Sequence, residues 1–198
     1  MIEELDIETY LYISPNEFRI YLFDKKNLKN LYKKGIKFNN NYFIDVNNLD
    51  KFIEDNIFKI EKLAGHFVKN IVLVVENDQI IDFNFGIKKK NYNKIINKKF
   101  LDNVLIDAKD LFRENYHNSK IMHILICRYL VNGNYHSSYN DKFKGDYLCI
   151  EFQFKYISSN FIFNIDKILE KYQIKVTGCM DGKYIKDYFS NNKIDFVE

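Results

Sequence analysis

The chain has 198 residues, a formal net charge of +3, 46% hydrophobic and 17% aromatic residues. That length fits one ordinary domain or two small ones with a sizeable core, and so mild a charge does not by itself call for nucleic acid or an anionic membrane. The three cysteines, Cys127, Cys149 and Cys179, are odd in number and widely spaced, which argues for free thiols in a reducing compartment and against a disulfide framework. The first residues, MIEELDIE, lack the basic start and apolar core of a signal peptide. No run approaches the ~20 apolar residues that cross a bilayer, so a cytoplasmic location is expected.

In chain order, residues 10–13 and 18–23 read as two strands around the turn Ser14-Pro15-Asn16-Glu17, whose proline and asparagine favour a tight reversal. Phe18, Ile20 and Leu22 alternate with Arg19 and Tyr21, the pattern of a half-buried hairpin strand. Residues 31–38 form a third strand candidate, weakened by Lys33, Lys34 and Gly35, and Asn39, Asn40 and Asn41 a loop. An amphipathic helix follows. Leu49, Phe52, Ile53, Ile57, Ile60, Leu63 and Ala64 share one face at three- and four-residue spacing. Asn47 is expected at its N-cap, with Asp50 three residues on, and Gly65 at its end, where a left-handed residue is wanted. Residues 71–75 are then an unbroken apolar run, suited to a strand covered on both faces. This helix and strand organise the fold.

From residue 78 the pattern changes. Ile81, Phe83, Phe85 and Ile87 alternate with Asp82, Asn84 and Gly86, so this strand has one wet face. Residues 88–99 read as a lysine-rich solvated loop, with phosphate binding as the functional alternative. A helix over 98–114 carries the stripe Phe100, Leu101, Val104, Leu105, Ala108, Leu111 and Phe112. Residues 121–131 form a strand that ends at Asn132-Gly133, a loop spans 134–146, and residues 147–156 form a strand antiparallel to the last. Phe161, Ile165, Ile168, Leu169 and Tyr172 give a helix capped among Ser158, Ser159 and Asn160. A short strand at 174–176 and a short helix with Tyr184, Ile185, Tyr188 and Phe189 follow.

The motifs of common chemistries are missing. There is no P-loop, no dinucleotide fingerprint, no CxxC and no HExxH. His123 and Cys127 would share a strand face, but two ligands do not make a zinc site. Asp107 and Asp110 on one helix read as a solvated face. No nucleophile with its base is nominated.

Several short segments in collinear order carry a resemblance: LYISPNEFRIYLF near the start, IEKLAG before IVLVV, IMHILICRYLVNG, and FKG at 143–145. Over residues 9–190 the chain resembles the N-terminal half of FtsA, the actin-like protein of bacterial cell division. The resemblance implies a mixed α/β fold: an actin-like (ribonuclease H-like) half-domain, its mixed sheet flanked by helices, with an inserted strand–helix–strand–strand subdomain of the SHS2 type. Residues 9–77 and 158–198 would form the half-domain and 78–157 the insert. In that family the first hairpin carries an LDxGTS-like motif whose backbone amides reach a nucleotide phosphate and whose acid helps place the metal. Here Tyr12 stands for the acid, Ser14 for the glycine and Pro15 for the threonine. Proline has no amide proton, and tyrosine does not hold Mg²⁺ as a carboxylate does. The second half of the ATPase fold and the C-terminal amphipathic helix of the family have no counterpart in this sequence.

The resemblance therefore implies a non-catalytic adaptor of cell division with no cofactor and no metal, acting through protein–protein contacts of the insert. The expected partners are other cell-division proteins and further copies of the chain, not nucleic acid. No direct membrane insertion is expected, only recruitment to the inner face of the membrane at the division site. Arg128, Lys142 and Lys144 are the candidate contact residues. The alternatives are an assembly adaptor of the actin-like PilM type and a nucleotide-binding subunit completed by a second chain. A nucleic-acid module is disfavoured because the aromatics sit at core-facing periods.

Overall fold

The computed structural model describes residues 6–39, 43–140 and 142–192, with side chains to residue 187. The chain divides into two compact units, Met1–Ile80 with Asn160–Glu198, and Ile81–Ser159.

In the first unit, β1 (Ile7–Ser14), β2 (Glu17–Asp24) and β3 (Lys29–Lys37) form an antiparallel meander. The hairpin is as tight as its sequence asks, because Ser14 pairs with Glu17 and leaves Pro15 and Asn16 as the only loop residues. β4 (Asn70–Val75) and β9 (Lys175–Asp181) add to β1 in parallel, giving the order β3-β2-β1-β4-β9. β9 extends well beyond the three residues expected. Parallel strands need a crossover, and α1 (Val46–Ala64) supplies one.

α1 buries Leu49, Phe52, Ile53, Asn56, Ile57 and Ile60, and Phe52 lies 6.1 Å from Phe18 of β2 between ring centroids. Two of its sequence expectations are corrected. The N-cap is Asp45, not Asn47, because the Asp45 carboxylate accepts from the amides of Asn47 and Asn48. Leu63 is 51% exposed, since the stripe has rotated off the sheet by the last turn. Gly65 does take the left-handed conformation, φ 77°, and its amide closes on Glu61 O. Asn56, buried among apolar neighbours, is satisfied: it donates to Phe52 O and accepts from the Tyr32 hydroxyl, both at 2.7 Å. α3 (Ser159–Glu170) buries Ile162, Ile165, Ile168 and Leu169. The turn after it is tied to α1, with Lys171 2.5 Å and the Tyr172 hydroxyl 3.0 Å from Asp50. α4 (Gly182–Asn192) follows β9 directly. Asn40 and Asn41 of the expected loop, and the side chains of Tyr188 and Phe189, lie outside the described residues.

The second unit is a four-stranded sheet, β5-β8-β6-β7, of β5 (Ile81–Ile95), β6 (Ser119–Val131), β7 (Asn134–His136) and β8 (Lys144–Ser158), with α2 (Lys98–Asn115). Val104, Ala108 and Phe112 of α2 meet Leu148, Ile150, Phe152, Phe154 and Tyr156 of β8 in one core. Each valine, leucine, isoleucine or phenylalanine among them contributes about 1.5–3 kcal/mol by leaving water. Leu111 of the expected stripe is 46% exposed instead.

Two loops of the sequence reading are strands. Residues 88–95 continue β5, pairing with β8, and the alternation of exposure runs on through Lys88, Lys89 and Lys90 because a strand with one solvated face can carry lysine there. The expected loop 134–146 begins with β7, which returns along β6 through Asn132-Gly133; both residues have positive φ, 50° and 85°, as a two-residue hairpin of this hand requires. The register of β5 against β8 slips once: residues 91–93 oppose only Asp146. Within that bulge Tyr92 and Asn93 are both left-handed, φ 52° and 55°. A tyrosine in that region costs about 1–2 kcal/mol, and the buried Asn91 amide offsets it by donating to Lys94 O and to Gly145 O. β6 bulges near Cys127, which breaks the two-residue period that would have set Cys127 beside His123.

Candidate functional site

The carboxyl ends of parallel strands are where α/β sheets hold their ligands. In the first unit those ends bring together Tyr12 and Ser14 of β1, Glu76 just past β4, and Asp181 at the end of β9. α4 starts there, and the Asp181 carboxylate caps it by accepting from the amide of Lys183 at 3.0 Å. Helical spacing from that start brings Lys186 back over the strand ends.

The result is a closed polar triad on an aromatic floor. The Tyr12 hydroxyl donates to Glu76 Oε2 at 2.7 Å. Lys186 Nζ donates to the same oxygen at 2.5 Å and to the Tyr12 hydroxyl at 3.1 Å. Its ammonium also lies 5.1 Å from the centroid of the Tyr12 ring. Tyr12, Tyr21 and Val74 are buried beneath, with Tyr10, Met180 and Ile185 packed around them. Gly182 permits the close approach of α4: a Cβ there would lie 3.0 Å from the Glu76 Cβ and 3.2 Å from the Tyr12 ring.

The electrostatics follow the geometry. Burial pushes the Glu76 carboxyl up, but hydrogen bonds from Lys186 and Tyr12 outweigh it and hold the group below its ordinary range. Burial disfavours the Lys186 ammonium, and the bonds to Glu76 and Tyr12 more than restore it, raising its pKa. Burial raises the Tyr12 phenol, so it stays protonated and donates.

At the hairpin, the Ser14 hydroxyl donates to Glu17 O at 3.2 Å, and Asn16 O accepts from the Phe38 amide at 2.8 Å. Pro15 has no amide proton to offer. Glu17 pairs with Arg19 at 2.6 Å. Of the three positions matched to a phosphate loop, Tyr12 and Ser14 are bonded within the protein and Pro15 has no amide proton. Glu76, Asp181 and Lys186 were not nominated from sequence. Glu76 carried a usable signal, since it directly follows the apolar run of residues 71–75; Lys186 carried none, lying 110 residues further along the chain.

The contact candidates of the second unit stand at separate places on that unit. Arg128 pairs with Glu151 at 2.5 Å and lies 5.9 Å from the Tyr135 ring centroid. Lys142 and Lys144 are exposed, the latter opposite Ile95 in the β5–β8 ladder. Asp107 and Asp110 serve ion pairs with Lys89 and Arg113. Among the described residues no cluster of three or more His, Cys, Asp or Glu side chains could hold a metal ion, and no helix is long and apolar enough to cross a membrane.

No family model matches the sequence, and no curated protein matches it. Solved structures do resemble the fold. The PilM–PilN type IV pilus biogenesis complex matches over 94% of this chain and 50% of that one, at 7% identity and a TM-score of 0.56. The cytoplasmic domain of EpsL, an inner-membrane component of the type II secretion system of Vibrio cholerae, matches 89% of this chain and 56% of its own, at 9% identity and a TM-score of 0.40. A Bacteroides thetaiotaomicron protein with an actin-like ATPase fold matches 97% and 60%, at 12% identity and a TM-score of 0.39. The chain thus spans about half the length of the first structure it matches. The fold is of the actin-like class, a mixed sheet between helices in the size of a half-domain.

Proposed function

We propose that this chain is a non-catalytic actin-like adaptor whose work is to hold other proteins together. The observation that carries the reading is the Tyr12–Glu76–Lys186 triad. It fills the strand ends where an actin-like ATPase would place phosphate and metal, with a tyrosine for the acid and a proline in the turn. In this reading residues 78–157 are the inserted SHS2-type module, which offers the partner surface, and Arg128, Lys142 and Lys144 lie on it. Two settings are supported by different observations. The collinear motifs of the sequence support a cell-division role of the FtsA kind. The likeness to a PilM–PilN complex supports an assembly role of the PilM kind.

Titration calorimetry with ATP and Mg²⁺ tests the loss of the nucleotide site: no heat of binding is expected, and micromolar binding by this chain alone would overturn the reading in favour of a nucleotide-binding subunit. A fluorescent fusion in the native host separates the two settings. Signal at the division site supports the first and signal at pilus or secretion assemblies the second. Diffuse signal throughout the cell cycle counts against both.

A further inference from the structure

The lysine-rich stretch read from sequence as a solvated loop is a built corner of the second unit. The bulge in β5 is anchored by Asn91, 5% exposed, and it lifts Tyr92 into solvent at 72% exposure. Ile95, three residues on, is 62% exposed. Lysines surround both. Lys90 and Lys94 flank the bulge, and Lys144 is the cross-strand neighbour of Ile95. Lys142 is two residues from Lys144, and the amide of Ile96 bonds to Phe143 O between them at 2.8 Å. Lys98 and Lys99 occupy the first turn of α2, which contains no acid, although cations there oppose the positive end of the helix.

None of these six lysines forms an ion pair among the described residues, whereas Lys89 pairs with Asp107 and Lys155 with Asp82. The described acids in the same segments are Asp102 and Asp146 alone. The corner thus combines six lysines without an ion pair among the described residues, a left-handed tyrosine and two exposed apolar tips, each against the local interest of the fold. Local rules broken together in one place mark function.

We propose that this corner is an adhesion surface for an anionic phospholipid bilayer, with Tyr92 and Ile95 resting at headgroup level. Charge complementarity selects the occupant. The patch is lysine throughout, and a hydrated ammonium on a flexible stem suits a fluid array of headgroups, whereas a fixed phosphate or carboxylate is met by the arginine fork. Clusters of four to eight basic residues are the range that binds acidic lipid. The phenol ring has an apolar body and a polar tip, the composition of interfacial aromatics. A single-stranded nucleic acid would want successive stacking platforms, and the corner offers Tyr92. The surface lies wholly in the second unit and does not use the triad that carries the adaptor reading, although it takes for lipid the Lys142 and Lys144 that the adaptor reading sets on a protein-contact face.

The test is co-sedimentation of the full chain with vesicles of phosphatidylcholine alone and of phosphatidylcholine with about 30% phosphatidylserine. Binding is expected to the second vesicle and not the first, and to fall steeply between about 0.1 and 0.5 M salt. A lysine near such a surface is worth about fivefold in affinity, so Lys94→Gln, Lys98→Gln and Lys144→Gln together weaken binding about 100-fold. Tyr92→Ser weakens it several-fold without changing the salt dependence. Equal binding to both vesicles, no salt dependence, or a triple variant that binds like the unsubstituted chain overturns the proposal. So does tighter binding to an oligothymidylate or to polyglutamate than to the anionic vesicle. Should the triple variant fail to fold, the lipid and salt comparisons on the unsubstituted chain decide the matter.

Discussion

Replacing Lys186 by methionine tests whether the triad fastens α4 to the strand ends. Methionine keeps most of the length of the apolar stem and removes the ammonium. What is lost is a charge-assisted bond of 2.5 Å to Glu76 and one of 3.1 Å to Tyr12. The two charged side chains are 37% and 26% exposed, so solvent screens the pair substantially. A fully exposed pair contributes about 0–1 kcal/mol and a buried hydrogen bond to a charge about 1.5–3 kcal/mol. The half-buried geometry here falls between, at about 1–2 kcal/mol. Adding Glu76→Gln to Lys186→Met should recover part of the loss, because the second change removes a carboxylate left without its cation.

The pH dependence has a definite sign. The Glu76 carboxyl sits below its ordinary value of 4.5 when folded, so its contribution is present above that value and fades as pH falls through the lower, folded one. The Lys186 ammonium sits above its ordinary 10.5, so its contribution is full below that value and fades as pH rises through the raised one. The stability difference between the unsubstituted chain and Lys186→Met should therefore be a plateau from roughly pH 5 to 10 that closes at both ends. Amide hydrogen exchange reads it locally, and α4 protection should drop about 5- to 30-fold at pH 7. Unchanged protection of α4, or a difference that persists undiminished to pH 3, would refute the reasoning.

Phe112→Ala should cost about 3–5 kcal/mol by emptying the centre of the second unit, measured by urea unfolding; Phe112 is 1% exposed and stacks on Tyr116 with centroids 4.9 Å apart. Gly145→Ala should destabilise the same unit by about 1–3 kcal/mol, because the new Cβ would lie 2.7 Å from Val131 Cγ1; an unshifted midpoint would show that β6 can yield. Asp45→Ala should cost about 0.5–2 kcal/mol as a lost cap, while Asn47→Ala should cost little, the reverse of what the sequence implied. Gly65→Ala should cost about 1 kcal/mol or slightly more through φ alone, since nothing lies within 4 Å of its new Cβ.

Local pattern by itself determined a good deal of this protein. The tight turn at Pro15-Asn16, the stop at Gly65, the buried run of β4 and the core of the α2 stripe are all written in spacings of two to four residues, the range over which side chains share a face. That residue 15 offers no amide proton and residue 12 no carboxylate is equally plain, since it is a matter of residue type. What only the tertiary structure decided are the features that join distant segments. Asp45 won the cap from Asn47 because its side chain, not its spacing, reaches the free amides. Residues 88–95 became a strand because β8 was there to pair with them, and Asn56 could enter a buried face because Tyr32 met it. Tyr12, Glu76 and Lys186 met because β1, β4 and β9 pair in parallel and carry their ends, and the helix that follows, to one place. Periodicity reports which side of its own element a residue occupies; the partner waiting on that side is settled by chain topology.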